Sequence, residues 1–478
     1  MKLDLKNKNM KNIYRKIAAI VFCSVTLPQV CPAQNPVIHT WFTPDPAPTV
    51  YKDTVFLFVD HDEDDAQYFK MKDWQLYSTT DMVNWTYRGT PISTATFQWA
   101  VQGDNAWASQ AVERNGKWYW YTCAKEPATR LHGIGVAVAD SPAGPYADPL
   151  GKPLVPSAFG YIDPSVFIDD DGQAYLFWGN NGLWYAKLNE DMISLGSEVI
   201  AVEGLEDPAA FGPMVMKRDH KDGRKKMMSN YEEGPWVFKR NGLYYLVYAA
   251  GGVPEHMAYS TSKSISGPWK YQGRIMNEAQ NSFTIHGGSI EFKGRNFMFY
   301  HNGQLPNGGG FRRSTCIEEF TFGEDGKIPF IPFTREGVRT PTGNLNPYQR
   351  VEAETMASGF GLKTDRKPGT QHYITSIHNG DWLKLRAVDF GKDGAARFSA
   401  CVASGTASGS IELRMDALGG PVIGELEVSP TGGTEKWQLQ STDVKPVKGE
   451  TIKGVHDLYL LFKGGEGELF NVDYWIFK

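Results

Sequence analysis

Cysteine is scarce in this chain of 478 residues, with five in all, and two of them, Cys23 and Cys31, fall near the N-terminus. Cys123, Cys316 and Cys401 remain, an odd and widely spaced set without a CxxC pair. That pattern argues against a zinc site or a disulfide framework and reads as three small buried hydrophobes. Positive charge is not in excess either: 49 Lys and Arg stand against 54 Asp and Glu, a net charge of −5. No global basic field invites nucleic acid. Long apolar runs are missing, since the one candidate, IAAIVFCSVTL at 17–27, is too short to span a bilayer. A sustained helical period is missing as well. With 41% hydrophobic residues a disordered chain is excluded.

Turns and aromatics are abundant: 50 glycines, 28 prolines, 14 Trp, 22 Tyr and 26 Phe. This composition favours an all-β protein. At the N-terminus, Lys2, Lys6, Lys8, Lys11, Arg15 and Lys16 face only Asp4, the apolar run follows, and CPAQ closes the segment at 31–34. A charged region, a short apolar region and a small-residue site read as a signal peptide over residues 1–33, cleaved after Ala33. The mature protein is then secreted or periplasmic, and LPQV before Cys31 is a weak approach for a lipid anchor.

Five segments share a turn followed by an aromatic-rich strand: YKDTVFLFVD (51–60), RNGKWYWYTC (114–123), DDGQAYLFWG (170–179), RNGLYYLVYA (240–249) and FKGRNFMFYH (292–301). Asn-Gly and Asp-Gly between apolar runs are strong hairpin signals, because both turn residues need positive φ. Further strands follow each hairpin, as in LWYAKLNEDMISLG (183–196) and MAYSTSKSISGPWKYQG (257–273). Four strands per unit and five units predict a five-bladed β-propeller over 34–338. RTPTGNLNP (339–347) reads as a linker, and the short alternating strands of 348–478 predict a β-sandwich of jelly-roll type.

The first strand of each propeller blade lines the central channel, so residues starting those strands converge at one mouth. Counting back from each hairpin gives Asp45, Trp107, Asp163, Glu233 and His286. Three acids in register at one mouth form a candidate carboxylate site. Glycosidic-bond cleavage needs such a set: one protonated acid for the leaving oxygen, one ionised group to activate water, and a third to tune its neighbour. Trp107 offers an apolar face to a sugar. Glu232 precedes Glu233, and strand alternation assigns Glu232 to the opposite face. The run DHDEDD (60–65) reads as a solvated loop, with His61 as a pocket-lining candidate.

TPDPAPTV, YIDPSVFIDDDG and YEEGPWVFKRNG resemble the three signature segments of glycoside hydrolase family 43, over about residues 38–335. The resemblance implies a five-bladed propeller acting by inversion. It implies Asp45 as general base, Asp163 as the acid that tunes and orients, and Glu233 as general acid. His286 matches the family's channel histidine, associated with a bound cation or water. GGGFRRS (308–314) matches the arginine segment of the sugar subsite, with Arg313 preferred over Arg312.

The C-terminal segments RVEAETMA, IHNGDWLKL, TGGTEKW and FNVDYWIF resemble carbohydrate-binding module family 6. By that resemblance Glu352, Glu354 and Asp473 are ligands of a structural calcium ion. The aromatics that usually sandwich a sugar are replaced by Ser376 and Thr434, so a stabilising or substrate-framing role stands beside sugar binding. Together these readings predict a secreted exo-hydrolase that removes α-L-arabinofuranosyl units from plant cell-wall polysaccharide, without organic cofactor, nucleic-acid partner or membrane span. β-D-Xylosidase activity at the same site is the near alternative, and a non-catalytic sugar-binding propeller is the alternative of another class.

Overall fold

The computed structural model describes residues 34–478 except 220, 221, 368–370, 407, 448 and 450. The expected signal peptide at 1–33 lies outside the described residues. The rest is almost entirely β-strand. No helix among the described residues is long and apolar enough to cross a membrane.

Five antiparallel sheets follow one another in the order of the predicted hairpins. Their first strands are Ala47–Tyr51, Trp107–Arg114, Ser165–Ile168, Tyr231–Arg240 and Ser289–Phe292. Four of these sheets are built from four consecutive strands, and the fifth from three. At three hairpins, Asn115–Gly116, Asn241–Gly242 and Lys293–Gly294, both turn residues have positive φ. That geometry suits Asn and Gly and matches the twist of the flanking strands. A short exposed ribbon, Val215–Arg218 with Lys225–Met228, intervenes between the third and fourth sheets and was not foreseen.

Among the described residues no strand ladder joins one of these sheets to the next, but side-chain hydrogen bonds do, Thr49 Oγ1 donating to Ala111 O at 2.6 Å and Trp236 Nε1 to Ser289 O at 3.0 Å. Side-chain packing joins them: the first strands touch in succession, and Ala47–Tyr51 also meets Ser289–Phe292. Large rings such as Trp74, Trp120, Tyr245 and Tyr259 fill the space between sheets. Each such ring buries enough apolar area to contribute roughly 2–3 kcal/mol. The start of the described chain ties the last sheet to the first, for Val37 N–H donates to Thr315 O at 2.8 Å and Phe42 bridges Asp62.

Residues beyond 350 form two further antiparallel sheets around a separate core that includes Leu383, Phe398, Leu413, Phe462 and Trp475. They are attached closely to the first part. Thr355–Met356 adds a fifth strand to the first sheet by pairing with Trp85–Ser93. Asn84 and Arg386 exchange two hydrogen bonds of 2.8 Å, and Trp41 Nε1 donates to Thr364 Oγ1 at 2.7 Å. Cys123, Cys316 and Cys401 are buried and free.

Candidate active site

The three register acids meet. Asp45, Asp163 and Glu233 line one cavity of about 280 Å3, together with Trp107, His286 and Arg313. Asp45 stands just before its strand with φ 52°, and Asp163 holds a similar left-handed turn at φ 60°. Such backbones are uncommon for non-glycine residues and persist where surrounding contacts fix them.

Asp45 is enclosed by bases. Arg313 Nη1 lies 3.3 Å and His286 Nδ1 3.5 Å from its Oδ1. Its backbone N–H donates to His301 Nδ1 at 3.2 Å, and the other ring nitrogen of His301 meets Thr284 O at 3.0 Å. Burial opposes ionisation of Asp45, but Arg313 and His301 outweigh it and hold the carboxyl far below its usual range. Arg313 is itself fixed by a fork onto Asp62, with Nε at 3.0 Å and Nη2 at 3.1 Å. Bidentate pairing of this kind sets the direction of the remaining N–H groups.

Glu233 behaves in the opposite way. Burial and the neighbouring Glu232 charge push its carboxyl up to about 7, against the hydrogen bond that Asn180 Nδ2 donates to Oε2 at 2.6 Å. Asp163 accepts the Gly234 N–H at 3.1 Å and lies 4.0 Å from His286. Its carboxyl is also raised well above the usual range, by burial and then by Glu233 and Asp45. His286 is held neutral, at about 4, chiefly by burial. The site therefore offers one carboxylate that stays ionised, Asp45, beside two carboxyls of raised proton affinity, Glu233 and Asp163.

Three sequence expectations change. Glu232 does not face away from Glu233: both line the cavity, because bulges on either side of Glu233 break the alternation of strand Tyr231–Arg240. Glu232 is instead tied up by Lys217 Nζ at 2.7 Å and Asn181 Nδ2 at 3.1 Å. His61 does not line the cavity. Its ring bonds Asp73 at 2.9 Å and meets the edge of Trp41, because Asp60 and Asp62 take the opposite face of the same strand. The run at 60–65 is not all solvated loop, since residues 60–62 end the strand Thr54–Asp62 and Asp60 and Asp62 are wholly buried. Trp107 stacks on His132 with ring centroids 4.3 Å apart. Arg312 holds Asn307 O and Ala66 O outside the cavity, while Arg313 enters it.

Asn180, Glu255 and Asp62 escaped the sequence reading. All three come from the ends of second strands or the loops that follow, which no register count reaches. Glu255 is buried in the cavity wall with Oε2 accepting the Ile285 N–H at 2.9 Å.

In the C-terminal part, Glu352 pairs opposite Tyr474, which places it beside Asp473. Glu354 Oε2 is buried without a hydrogen-bond partner, and burial, with Glu352 and Asp473 adding, pushes this carboxyl up to about 8. Arg350 forks onto Glu352, and Lys367 holds Asp473 at 2.5 Å. Carboxylate oxygens are the donor type a calcium ion takes, and Glu354 Oε2 is left without a partner, while Glu352 and Asp473 are engaged by Arg350 and Lys367. At the module's expected sugar cleft, Asn471 Nδ2 donates to Thr434 O at 3.1 Å, and Trp437 packs against Tyr373 and Lys367.

With this geometry in view, similarity to known proteins becomes informative. The family model for glycosyl hydrolases family 43 matches residues 33–328, and that for carbohydrate binding module (family 6) matches 352–478. An arabinoxylan arabinofuranohydrolase of Bacillus subtilis is 33% identical, with 96% of this chain and 95% of that protein covered. A protein of the same name from Paenibacillus polymyxa is 31% identical over 93% of this chain and 74% of its own length. Among solved structures, a family 43 arabinoxylan arabinofuranohydrolase from Bacillus subtilis, in complex with cellotetraose, superposes with a TM-score of 0.77 at 30% identity, covering 94% of this chain and 98% of that one.

Proposed function

The chain belongs to glycosyl hydrolases family 43, and on that premise we propose that it is an inverting exo-acting arabinofuranosidase that trims α-L-arabinofuranosyl branches from arabinoxylan. The observation that carries the proposal is the opposed state of two carboxyls in one cavity, Asp45 held ionised and Glu233 held protonated to about 7. Asp45 takes a proton from water as its oxygen attacks the anomeric carbon. The glycosidic C–O bond breaks, and the leaving oxygen takes the proton of Glu233. Asp163 orients the segment that carries Glu233 through the Gly234 N–H. Arg313 and His286 bind sugar hydroxyls, Arg313 keeps Asp45 ionised, and a cation or water rests on His286.

A cavity of about 280 Å3 suits one terminal sugar, which supports exo action. The five successive sheets are the blades of a propeller whose closure is by packing, followed after a linker at 339–347 by a jelly-roll module. That module carries a structural calcium ion on Glu352, Glu354 and Asp473. The enzyme is exported, with residues 1–33 removed. β-D-Xylosidase activity is the second reading, since a family 43 β-xylosidase/α-arabinofuranosidase from a compost metagenome superposes on 63% of the chain at 28% identity with a TM-score of 0.54. A non-catalytic sugar binder would leave the opposed carboxyls without a role.

The test compares aryl α-L-arabinofuranoside and aryl β-D-xyloside with the wild type and Glu233→Ala, following the first-formed sugar by proton NMR. Faster release of arabinose, as the inverted anomer, is expected. A retained anomer would refute the assignment of Asp45.

A further inference from the structure

The exposed ribbon between the third and fourth sheets sends one side chain inward. Lys217, on its strand Val215–Arg218, is buried, while its neighbours Met216 and Arg218 and its cross-strand partner Lys226 are exposed. Lys217 Nζ donates to Glu232 Oε2 and to Tyr231 O, both at 2.7 Å. The turn after strand Leu243–Ala250 closes over it: at Gly252, with φ 73°, a Cβ would stand 3.1 Å from Lys217 Cβ. Glu232 Oε1 accepts from Asn181 Nδ2, which also donates to Asn180 Oδ1 at 2.8 Å, and Asn180 in turn donates to Glu233. One continuous chain of contacts therefore runs from the ribbon to the acid, through Lys217, Glu232, Asn181, Asn180 and Glu233.

The bulges that turn Glu232 into the cavity create a choice. Two consecutive glutamates face one space, and the leaving oxygen needs a proton from one of them. Their partners differ, for Glu232 meets a cation and Glu233 a neutral amide. We propose that Lys217 is a positioning residue that assigns the proton to Glu233: it pins Glu232 as a carboxylate, so that Glu232 does not compete as the acid, and through Asn181 it fixes the amide that holds Glu233. The inference rests on the reading of Glu233 as general acid. A buried carboxylate stays ionised where a cation pairs with it, and two adjacent carboxyls titrate as a coupled pair. After burial, the Glu232 charge is the largest cause that raises Glu233 to about 7. Without the Lys217 ammonium the first proton passes to Glu232, and Glu233 then holds a proton only at lower pH. Asp45, Asp163, Glu255, His286 and Arg313 face the same space, and the Tyr231 hydroxyl donates to Gly179 O behind it. All of these are common to every variant below. The ribbon, outside the five sheets, thereby reaches the chemistry through one side chain.

The test records kcat/KM from pH 5 to pH 10 for the wild type, Lys217→Met, Glu232→Gln and the double variant. The substrates are an alkyl α-L-arabinofuranoside and the dinitrophenyl arabinofuranoside, whose leaving group needs little protonation. On the alkyl substrate Lys217→Met should lose about tenfold at pH 7 and recover towards pH 5, with its alkaline limb about one pH unit below that of the wild type. Glu232→Gln removes the like charge directly and should place the limb at the same lower pH. The double variant should add nothing to Glu232→Gln, because Lys217 acts through Glu232. Activity on the dinitrophenyl substrate should stay within about twofold throughout. A limb that stays in place or rises in Lys217→Met or in Glu232→Gln overturns the proposal. So does a double variant that differs from Glu232→Gln, for Lys217 would then act on Glu233 directly. Equal loss on both substrates at every pH is the mark of a merely structural role and also overturns it. If Lys217→Met fails to fold around the Glu232 charge, the double variant, which buries no charge there, carries the comparison with Glu232→Gln. A Glu233→Ala enzyme that keeps the wild-type alkaline limb would instead refute Glu233 as the acid, and this role of Lys217 with it.

Discussion

Removing the Asn180 side chain tests the acid assignment through a hydrogen bond rather than through the acid itself. Asn180 Nδ2 donates to Glu233 Oε2 at 2.6 Å, which favours the ionised form and works against burial and Glu232. A hydrogen bond to a charged group contributes about 1.5–3 kcal/mol, and 1.36 kcal/mol corresponds to one pH unit. Water entering the opened cavity replaces part of that, so the low end applies. A general acid must be protonated, so activity falls as pH rises through its pKa, here about 7. In Asn180→Ala the alkaline limb of kcat/KM should move up by about one pH unit, because the ionised carboxylate has lost its donor. Asn180→Asp, which adds a like charge, should move it further in the same direction. The assay is a pH series from 5 to 10 on an arabinoside with a poor leaving group, where protonation limits the rate. Held far below the usual range, Asp45 should add no acid limb in that window. A limb that stays in place, or moves down, in both variants would refute the identification of Glu233 as the titrating acid.

Leaving-group dependence separates acid from base. Glu233→Ala should lose ~10²–10⁴-fold on alkyl or sugar leaving groups and much less on dinitrophenyl glycosides, whereas Asp45→Ala should lose similarly on both; equal losses for Glu233→Ala would contradict its role. The raised Glu233 carboxyl also couples stability to pH: the folded value of about 7 exceeds the ordinary 4.5, so its contribution is fully present below 4.5 and is lost as pH rises through 7. Glu233→Gln, which cannot ionise, should then gain up to about 3 kcal/mol on the wild type between pH 5 and pH 8 in denaturant melts. Chelation should lower the melting temperature of the wild type, and added calcium should restore it, while Glu354→Gln should respond to neither; a chelator-insensitive wild type would remove calcium from the account.

Much of the architecture was legible because it is written locally. Tight turns such as Asn115–Gly116 and Asn241–Gly242 need backbone angles that few other residue pairs accept, and a short turn before an aromatic-rich strand recurs in each of the five sheets. The spacing from each turn to the start of its first strand is fixed by strand geometry at about 3.3 Å per residue, so the sequence alone places Asp45, Asp163 and Glu233 at one mouth. The same counting misassigned Glu232, because bulges around Glu233 shift the register by contacts that no single strand encodes.

What the sequence by itself determined is therefore the repeated hairpin, the two-part organisation and the identity of the three acids. Only the tertiary structure decided their chemistry. Proton affinity depends on which charges and donors stand within a few ångströms, and those arrive from distant segments: Arg313 and His301 beside Asp45, Asn180 on Glu233, Lys217 on Glu232. The junction of the two parts has the same origin, for Thr355–Met356 joins the first sheet only by pairing with a strand some 270 residues earlier in the chain. Local pattern sets backbone shape because its forces act over a few bonds, whereas burial and Coulomb interaction act through space, across whatever the fold brings together.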